Sequence, residues 1–380
     1  MTDNFPLERF GKLETPFYYY DLQVLGNTLE RLVSAASSYG YHVHYAVKSN
    51  ANPGILNVIS KKGVGADCVS WNEIERAMAC GFKSSDIVFA GVGKTDKEIR
   101  KALEADIFCF NSESGQELQV IDSIAAELGK RARVALRINP YVDAHTHKHI
   151  TTGIEESKFG ITMPEMEQVV SILKKLKNIE LAGIHFHIGS QITRMQVFRN
   201  LCAKMNEILD WFYSRNINIK VVNAGGGLGI NYEDPAAMPD FAQYFGIFNE
   251  MIRLRKGQEL HFEPGRAVTA QCGTLVTRVL YIKHGESTNF AVVDAGMTDL
   301  IRPALYQAYH MIQNLSSKRK PARYDVVGPV CESTDTFGKY VELPETSRGD
   351  IIVIRSAGAY GEAMASRYNL RDLPDVVFSE

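Results

Sequence analysis

Between about residues 24 and 267, short apolar runs of strand character alternate with segments of helical periodicity. No other feature of this 380-residue chain restricts its fold as much. The strand candidates are HVHYAVK (42–48), GVGADCV (63–69), DIVFAGV (86–92), DIFCFN (106–111), ARVALRIN (132–139), LAGIHFHIG (181–189), IKVVNAGGG (219–227) and LHFEPGR (260–266). Between them, stretches such as NTLERLVSAASSYG place Leu29, Leu32, Val33 and Ala36 on one stripe, the spacing of an amphipathic helix. Several strands are apolar almost throughout, as expected where helices cover both faces of a parallel sheet. About eight such units predict an α/β fold, a closed TIM-like (β/α)8 barrel over residues 24–267, rather than an open doubly wound sheet.

After residue 268 the pattern changes. TLVTRVLYIKHG, TNFAVVDAG, RYDVVGPVCES and GDIIVIRSAGAY are strand-like with little helix between them. Residues 268–380 therefore predict a C-terminal, mostly antiparallel β domain, a sandwich or barrel. PFYYYD (16–21) is a further strand that residues 1–23 would lend to that domain. One connection is long: residues 140–163, rich in His, Thr and Gly, follow the fifth barrel strand. Loops of that length are usually functional or disordered.

Charge and cysteine usage narrow the partners. Lys plus Arg number 42 against 44 Asp plus Glu, a formal net charge of −2, which gives no long-range pull towards nucleic acid or an anionic membrane. No apolar run reaches the roughly 18 residues of a membrane span, and MTDNFPLERFGKLETP lacks the charged-then-apolar pattern of a signal peptide. The six cysteines (68, 80, 109, 202, 272, 331) form no C-x-x-C pair and no metal-like spacing, which fits free thiols in a reducing cytoplasm.

In a barrel, reactive groups collect at the carboxyl ends of the strands. Lys48 ends the first strand, Asp67 the second, His187 and Ser190 the sixth, Gly225–Gly227 the seventh, and Glu263–Arg266 the eighth, so all would face one mouth. NAGGGLGINY is a poor dinucleotide fingerprint, because Ile230 stands where glycine is needed. Successive glycines do let backbone N–H groups crowd an anion such as phosphate, although a bare glycine turn is the plain alternative. A strand-end lysine is more often merely solvated; burial would depress its pKa and make it a Schiff-base nucleophile. Together with the carboxylate of Glu263, these are the parts that pyridoxal phosphate chemistry needs. The rival is a metal-dependent barrel hydrolase using H-x-H (His185, His187) and HTHKH (145–149). It needs further His and Asp at later strand ends, where this chain has glycines and Glu263, so no metal is expected.

HYAVKSN, GADCVSWNEIERA, ESKFGI, GIHFHIGSQ, NAGGGLG, FEPGR, RPALYQAYH, GPVCES and AGAYGEAM occur in that order between about residues 15 and 370. On these motifs the chain resembles the alanine-racemase-like, fold-type III pyridoxal phosphate decarboxylases, and within them the diaminopimelate decarboxylase family. Several motifs are shared with ornithine and arginine decarboxylases and mark the class alone; SKFGI, RPALYQAYH and CES favour diaminopimelate. The resemblance implies decarboxylation of meso-2,6-diaminopimelate to L-lysine and CO2, the last step of lysine biosynthesis. A carboxynorspermidine, ornithine or arginine decarboxylase is the alternative.

The same resemblance implies roles. Lys48 would carry the cofactor as an imine, with Asp67 supporting it and His187 stacking on the ring. Ser190, Gly225, Gly226 and Gly227 would hold the phosphate, with Gly265 beside them. Glu263 would pair with the pyridinium nitrogen, Arg266 would reach phosphate or a substrate carboxylate, and His185 would be a packed or hydrogen-bonded neighbour. From the β domain, Tyr360 would lie near phosphate and substrate, and Cys331 would donate the proton. Arg302 and Tyr306 would take the distal carboxylate of the substrate and Glu332 its distal ammonium. A homodimer with shared active sites is implied, acting on a small amino acid, with no nucleic acid or membrane partner. Two positions depart from the family pattern: Thr334 stands where glycine is common and Ala365 where serine is common. A β-branched residue disfavours positive φ, so the loop of Cys331 and Glu332 is expected to be reshaped.

Overall fold

The computed structural model describes residues 5–142 and 158–380. After β1 (Phe17–Tyr20) come eight strands: β2 (His42–Ala46), β3 (Gly65–Cys68), β4 (Ile87–Phe89), β5 (Cys109–Ser112), β6 (Ala132–Arg137), β7 (Ile179–His185), β8 (Val221–Asn223) and β9 (Glu259–Phe262). These form a closed parallel barrel in chain order. The closing pair, β2 with β9, meets at His42↔His261 and Val43↔Phe262. All eight ladders are shorter than the apolar runs suggest. β7 stops at His185, so His187 lies beyond the strand rather than two positions along it.

The covering helices begin where the sequence supplies a cap. Ser70 accepts the Glu73 N–H at the start of Trp71–Ala79, and Thr95 and Glu98 form a reciprocal capping box on Asp96–Glu104. The latter turns Ile99, Ala102 and Leu103 onto the barrel and its charged residues outward.

The chain divides into two compact units. One, the barrel unit, holds Leu29–Gly229 and Pro239–Val268; the other, the β unit, holds the chain up to Thr28, Ile230–Met238 and Thr269–Glu380. This grouping differs from the expected barrel bounds of 24–267 at residues 24–28, which go with the β unit, and at one internal segment. Residues 230–238 group with the β unit because Ile230 and Tyr232 are buried there with Ala270 and Ala359, under Tyr360.

The β unit contains β10 (Gly273–His284), β11 (Asn289–Val293), β12 (Ile312–Asn314), β13 (Pro321–Val327), β14 (Thr336–Pro344), β15 (Ile351–Ile354) and β16 (Asp375–Phe378). Their order is β12-β15-β10-β11-β13-β14, mostly antiparallel, and β1 joins by pairing with β10 and β16. Phe10, Phe17, Tyr19, Val276, Ile351 and Val353 form one core of this unit.

No described helix is long and apolar enough to cross a membrane. Most of the long 140–163 connection, HTHKH included, lies outside the described residues. Its described end returns to the barrel, where Ile161 bridges Ile138 and the Gly160 N–H donates to Glu113 at 2.8 Å.

At Gly183 the barrel wall admits no side chain, because a Cβ there would overlap the Val221 carbonyl of the next strand. Gly183→Ala should therefore destabilise the protein by about 2–4 kcal/mol, read as a lower urea midpoint with an unchanged m-value.

Candidate active site

Lys48 sits in the turn Val47–Ser49 that leaves β2. Its Nζ donates to Asp67 Oδ2 at 2.8 Å, and Asp67, on β3, is fully buried. Burial first, and then the charge of Glu263, raise the Asp67 carboxyl above its ordinary pKa against the pull of Lys48. The other oxygen of Asp67, Oδ1, is buried without a hydrogen-bond partner.

Glu263 follows β9 and is buried inside the barrel. Its Oε1 accepts from Asn111 Nδ2 at 3.1 Å and from Asn223 Nδ2 at 2.7 Å, while Oε2 accepts from His185 Nε2 at 2.8 Å. Burial alone raises its pKa. The charge and hydrogen bond of His185, followed by Lys48 and His44, outweigh that and hold the carboxyl below the usual range. Glu263 is therefore an ionised buried carboxylate. Such a group offers about four lone-pair sites, so it retains room for one more donor.

The glycine bend follows β8. Gly225 and Gly227 have φ of 71° and 109°, the left-handed region that favours glycine. A Cβ on Gly225 would strike the Phe186 carbonyl and one on Gly226 the Glu263 carbonyl. The Gly226 N–H donates to His187 Nδ1 at 3.3 Å. Burial, then the charges of Arg137 and Lys48, push the His187 pKa well down, so its ring is neutral. Ser190 Oγ accepts from Arg266 Nε at 3.3 Å and Nη2 at 3.0 Å. A side chain at Gly265 would press on Ala46 and Ser49, which flank Lys48. The barrel unit thus brings Lys48, Asp67, His187, Ser190, Gly225–Gly227, Glu263, Gly265 and Arg266 to the carboxyl ends of its strands.

Within the β unit, Arg302 opens the short helix Arg302–Tyr306 and is buried. Its Nε donates to His310 Nε2 at 3.2 Å, and His310 Nδ1 is pinned to the Arg355 carbonyl at 2.8 Å. The guanidinium also lies over the Tyr232 ring, 5.3 Å from its centroid. Tyr306 is half-buried at the end of the same helix. Cys331 and Glu332 are exposed, and Tyr368 Oη donates to Glu332 Oε1 at 2.6 Å. Thr334 is absent from the positive-φ residues, so its branched side chain is accommodated where the sequence suggested strain. Tyr360 does hold a left-handed φ of 56°, a conformation that costs energy and tends to collect at functional positions.

Residues 25–270 match the pyridoxal binding domain of the pyridoxal-dependent decarboxylases. A diaminopimelate decarboxylase from Bacteroides thetaiotaomicron is 54% identical over 373 residues, covering 97% of each chain. The chain belongs to the diaminopimelate decarboxylase family. The crystal structure of a Helicobacter pylori diaminopimelate decarboxylase complexed with L-lysine superposes with a TM-score of 0.93 at 39% identity, covering 98% of this chain and 94% of that one. An arginine decarboxylase of a Paramecium bursaria Chlorella virus reaches 0.87 at 20% identity over 99% of this chain and all of that one, which speaks for a common fold alone.

For a member of the diaminopimelate decarboxylase family, sequence reasoning missed Asn111, Asn223, His310 and Tyr368. The two asparagines carried a usable signal, since both stand on barrel strands close to their carboxyl ends. The buried pair Arg137–Glu113, at 2.6 Å, was also missed.

Glu73 gives a pH test of this region. It accepts the Val69 N–H at 2.8 Å, and burial raises its pKa from 4.5 to about 7, against that N–H and Lys48. Folding then takes up a proton between those values, so Glu73 costs stability progressively as pH rises through them. Urea midpoints of the apoprotein and its Glu73→Gln variant should coincide near pH 4.5 and separate by pH 8, with the variant more stable. A gap that is constant with pH would contradict this.

Proposed function

We propose that the protein decarboxylates meso-2,6-diaminopimelate to L-lysine and CO2, using pyridoxal 5'-phosphate held at the barrel mouth. The carrying observation is the Lys48 amine, fixed by buried Asp67 at the rim that also carries the glycine bend and Glu263. The name of the 54% identical relative supports the same substrate.

The residues fit the cofactor. The unpartnered Asp67 Oδ1, the remaining lone-pair site on Glu263, and three glycines whose Cβ positions are filled by other backbone all suit a flat, anionic guest. Bound there, pyridoxal phosphate would supply an electron sink for the pair released when the carboxylate departs. Gly225–Gly227, Ser190 and Arg266 would hold its phosphate with N–H, O–H and guanidinium donors. Glu263, kept ionised by His185, would hold a proton on the ring nitrogen. His187, neutral, would lie against the ring face without repelling it. Lys48 would bond to the cofactor and yield its place to the substrate amine.

Arg302 and Tyr306 would bind the distal carboxylate of the substrate, and Glu332 the distal ammonium. His310 would act as a positioning residue by fixing Arg302 Nε. After CO2 has left, Cys331 would deliver a proton from Sγ to Cα, with Tyr360 near substrate and phosphate. Ornithine and arginine offer Arg302 no distal carboxylate, and burying that charge without its anion costs roughly several kcal/mol. We also propose a homodimer with shared active sites, working in the cytoplasm, where the free thiols of all six cysteines stay reduced.

Four measurements test the proposal. The purified protein with pyridoxal phosphate should show a visible absorption band that Lys48→Ala abolishes along with activity; a colourless wild type would refute the cofactor. Lysine release from meso-diaminopimelate should far exceed turnover of ornithine or arginine, and Arg302→Ala should lower kcat/KM about 10–100-fold, as a charged hydrogen bond is worth about 1.5–3 kcal/mol. His310→Ala should raise KM more than it lowers kcat. Mixing inactive Lys48→Ala and Cys331→Ala chains should restore about a quarter of wild-type activity if symmetric dimers share sites, and none if each chain is self-sufficient.

A further inference from the structure

We propose that His42, Glu259 and His261 form a binding site for a divalent transition-metal ion of the zinc type, at the end of the barrel opposite Lys48. Side chains alternate along a strand, so Glu259, His261 and Glu263 lie on one face of the last barrel segment, and His42 and His44 on one face of β2. Lys48 and Glu263 stand at the carboxyl ends of those strands. His42 and Glu259 are their first residues, and His42 is the ladder partner of His261.

A chain of hydrogen bonds fixes which nitrogen of His261 is bare. His44 Nδ1 lies 3.0 Å from the Asp86 carbonyl, which can only accept, so Nδ1 carries the proton. With both rings buried and neutral, His44 Nε2 then accepts the His261 Nδ1–H across 2.9 Å. His261 Nε2 is left as a lone pair, in a residue only 3% exposed, with no hydrogen-bond partner. It faces Glu259 Oε2 at 3.5 Å, one acceptor against another. A cation between them satisfies both. The carbonyl–His44–His261 relay is the kind of outer-shell support that holds a ligating imidazole in one tautomer and one orientation.

The third ligand comes from His42, exposed and stacked on the His261 ring with centroids 4.6 Å apart. The candidate ligand atoms of all three residues lie within 4.8 Å of one another, the one such cluster of His, Cys, Asp or Glu found among the described residues. Tetrahedral zinc, with bonds of about 2.0–2.1 Å, needs ligand atoms roughly 3.3 Å apart. A rotamer change of the exposed His42 and a small shift of the half-buried Glu259 supply the difference. Two imidazoles and one carboxylate suit zinc and its neighbours, whereas calcium and magnesium favour all-oxygen sites. The ion would join the first and last strands of the barrel, whose ladder has only the two positions described above.

Zinc chloride titrated into the holoenzyme tests this by calorimetry and thermal unfolding. The wild type should bind one ion per chain, and free Zn²⁺ about 100-fold above Kd should raise Tm by about 3 °C. His42→Ala and Glu259→Gln should each weaken binding by about tenfold or more, with turnover in metal-free buffer unchanged, since neither side chain reaches the mouth. Absence of stoichiometric binding to the wild type, or binding that both substitutions leave intact, would overturn the site.

Discussion

Glu263 is an ionised carboxylate inside a sheet-walled cylinder, and the arrangement of the mouth depends on how that charge is tolerated. Asn111, Asn223 and His185 reach it from β5, β8 and β7, so three strands are held in mutual register by one residue that follows a fourth. An uncompensated buried charge would cost several kcal/mol or be lost by protonation. Here the donors keep it ionised, and its field in turn reaches Asp67 and His44. The Lys48–Asp67 pair completes the balance, placing positive charge close to two buried acids.

Below that level the barrel interior changes character. Asparagine, carboxylate and lysine give way to aromatic rings: His44, Phe108 and His261 stack across the lumen, with interplanar angles of 8–22°, and Arg133 lies over Phe108. Strand alternation explains how one segment serves both regions, since every second side chain from residue 259 to 263 points inward. The ring layer fills the lumen beneath Glu263, so the polar mouth rests on a floor of packed rings.

The barrel was legible because parallel strands covered on both faces are apolar along their length, and eight such runs leave a recognisable rhythm. Their ends were not. HFHIG and NAGGG continue the apolar pattern past the last ladder bond, because residues lining the mouth are as buried as those in the wall. Lys48, Asp67, His187 and the glycine bend could be named because their chemistry is unusual at a strand end. Asn111 and Asn223 were marked by their position near strand ends, but their role was hidden, since it comes from a partner 152 or 40 residues away. The same holds for His310, whose role comes from what lies across from it rather than from its neighbours in the chain. Residues 230–238 escaped for that reason too: their grouping is set by Ala270 and Ala359, far along the chain.

The pairing of β1 has a consequence for how the molecule is made. A ribosome makes Phe17–Tyr20 about 350 residues ahead of one neighbour of that strand, β16 (Asp375–Phe378). At roughly 5–20 residues per second, synthesis leaves these four aromatic side chains, all buried in the finished protein, without their full cover for tens of seconds. The barrel unit can complete itself while the β unit is still waiting for its final strand. During that interval a sticky aromatic edge is the natural target of a chaperone, and any chain cut short before residue 375 would keep it exposed.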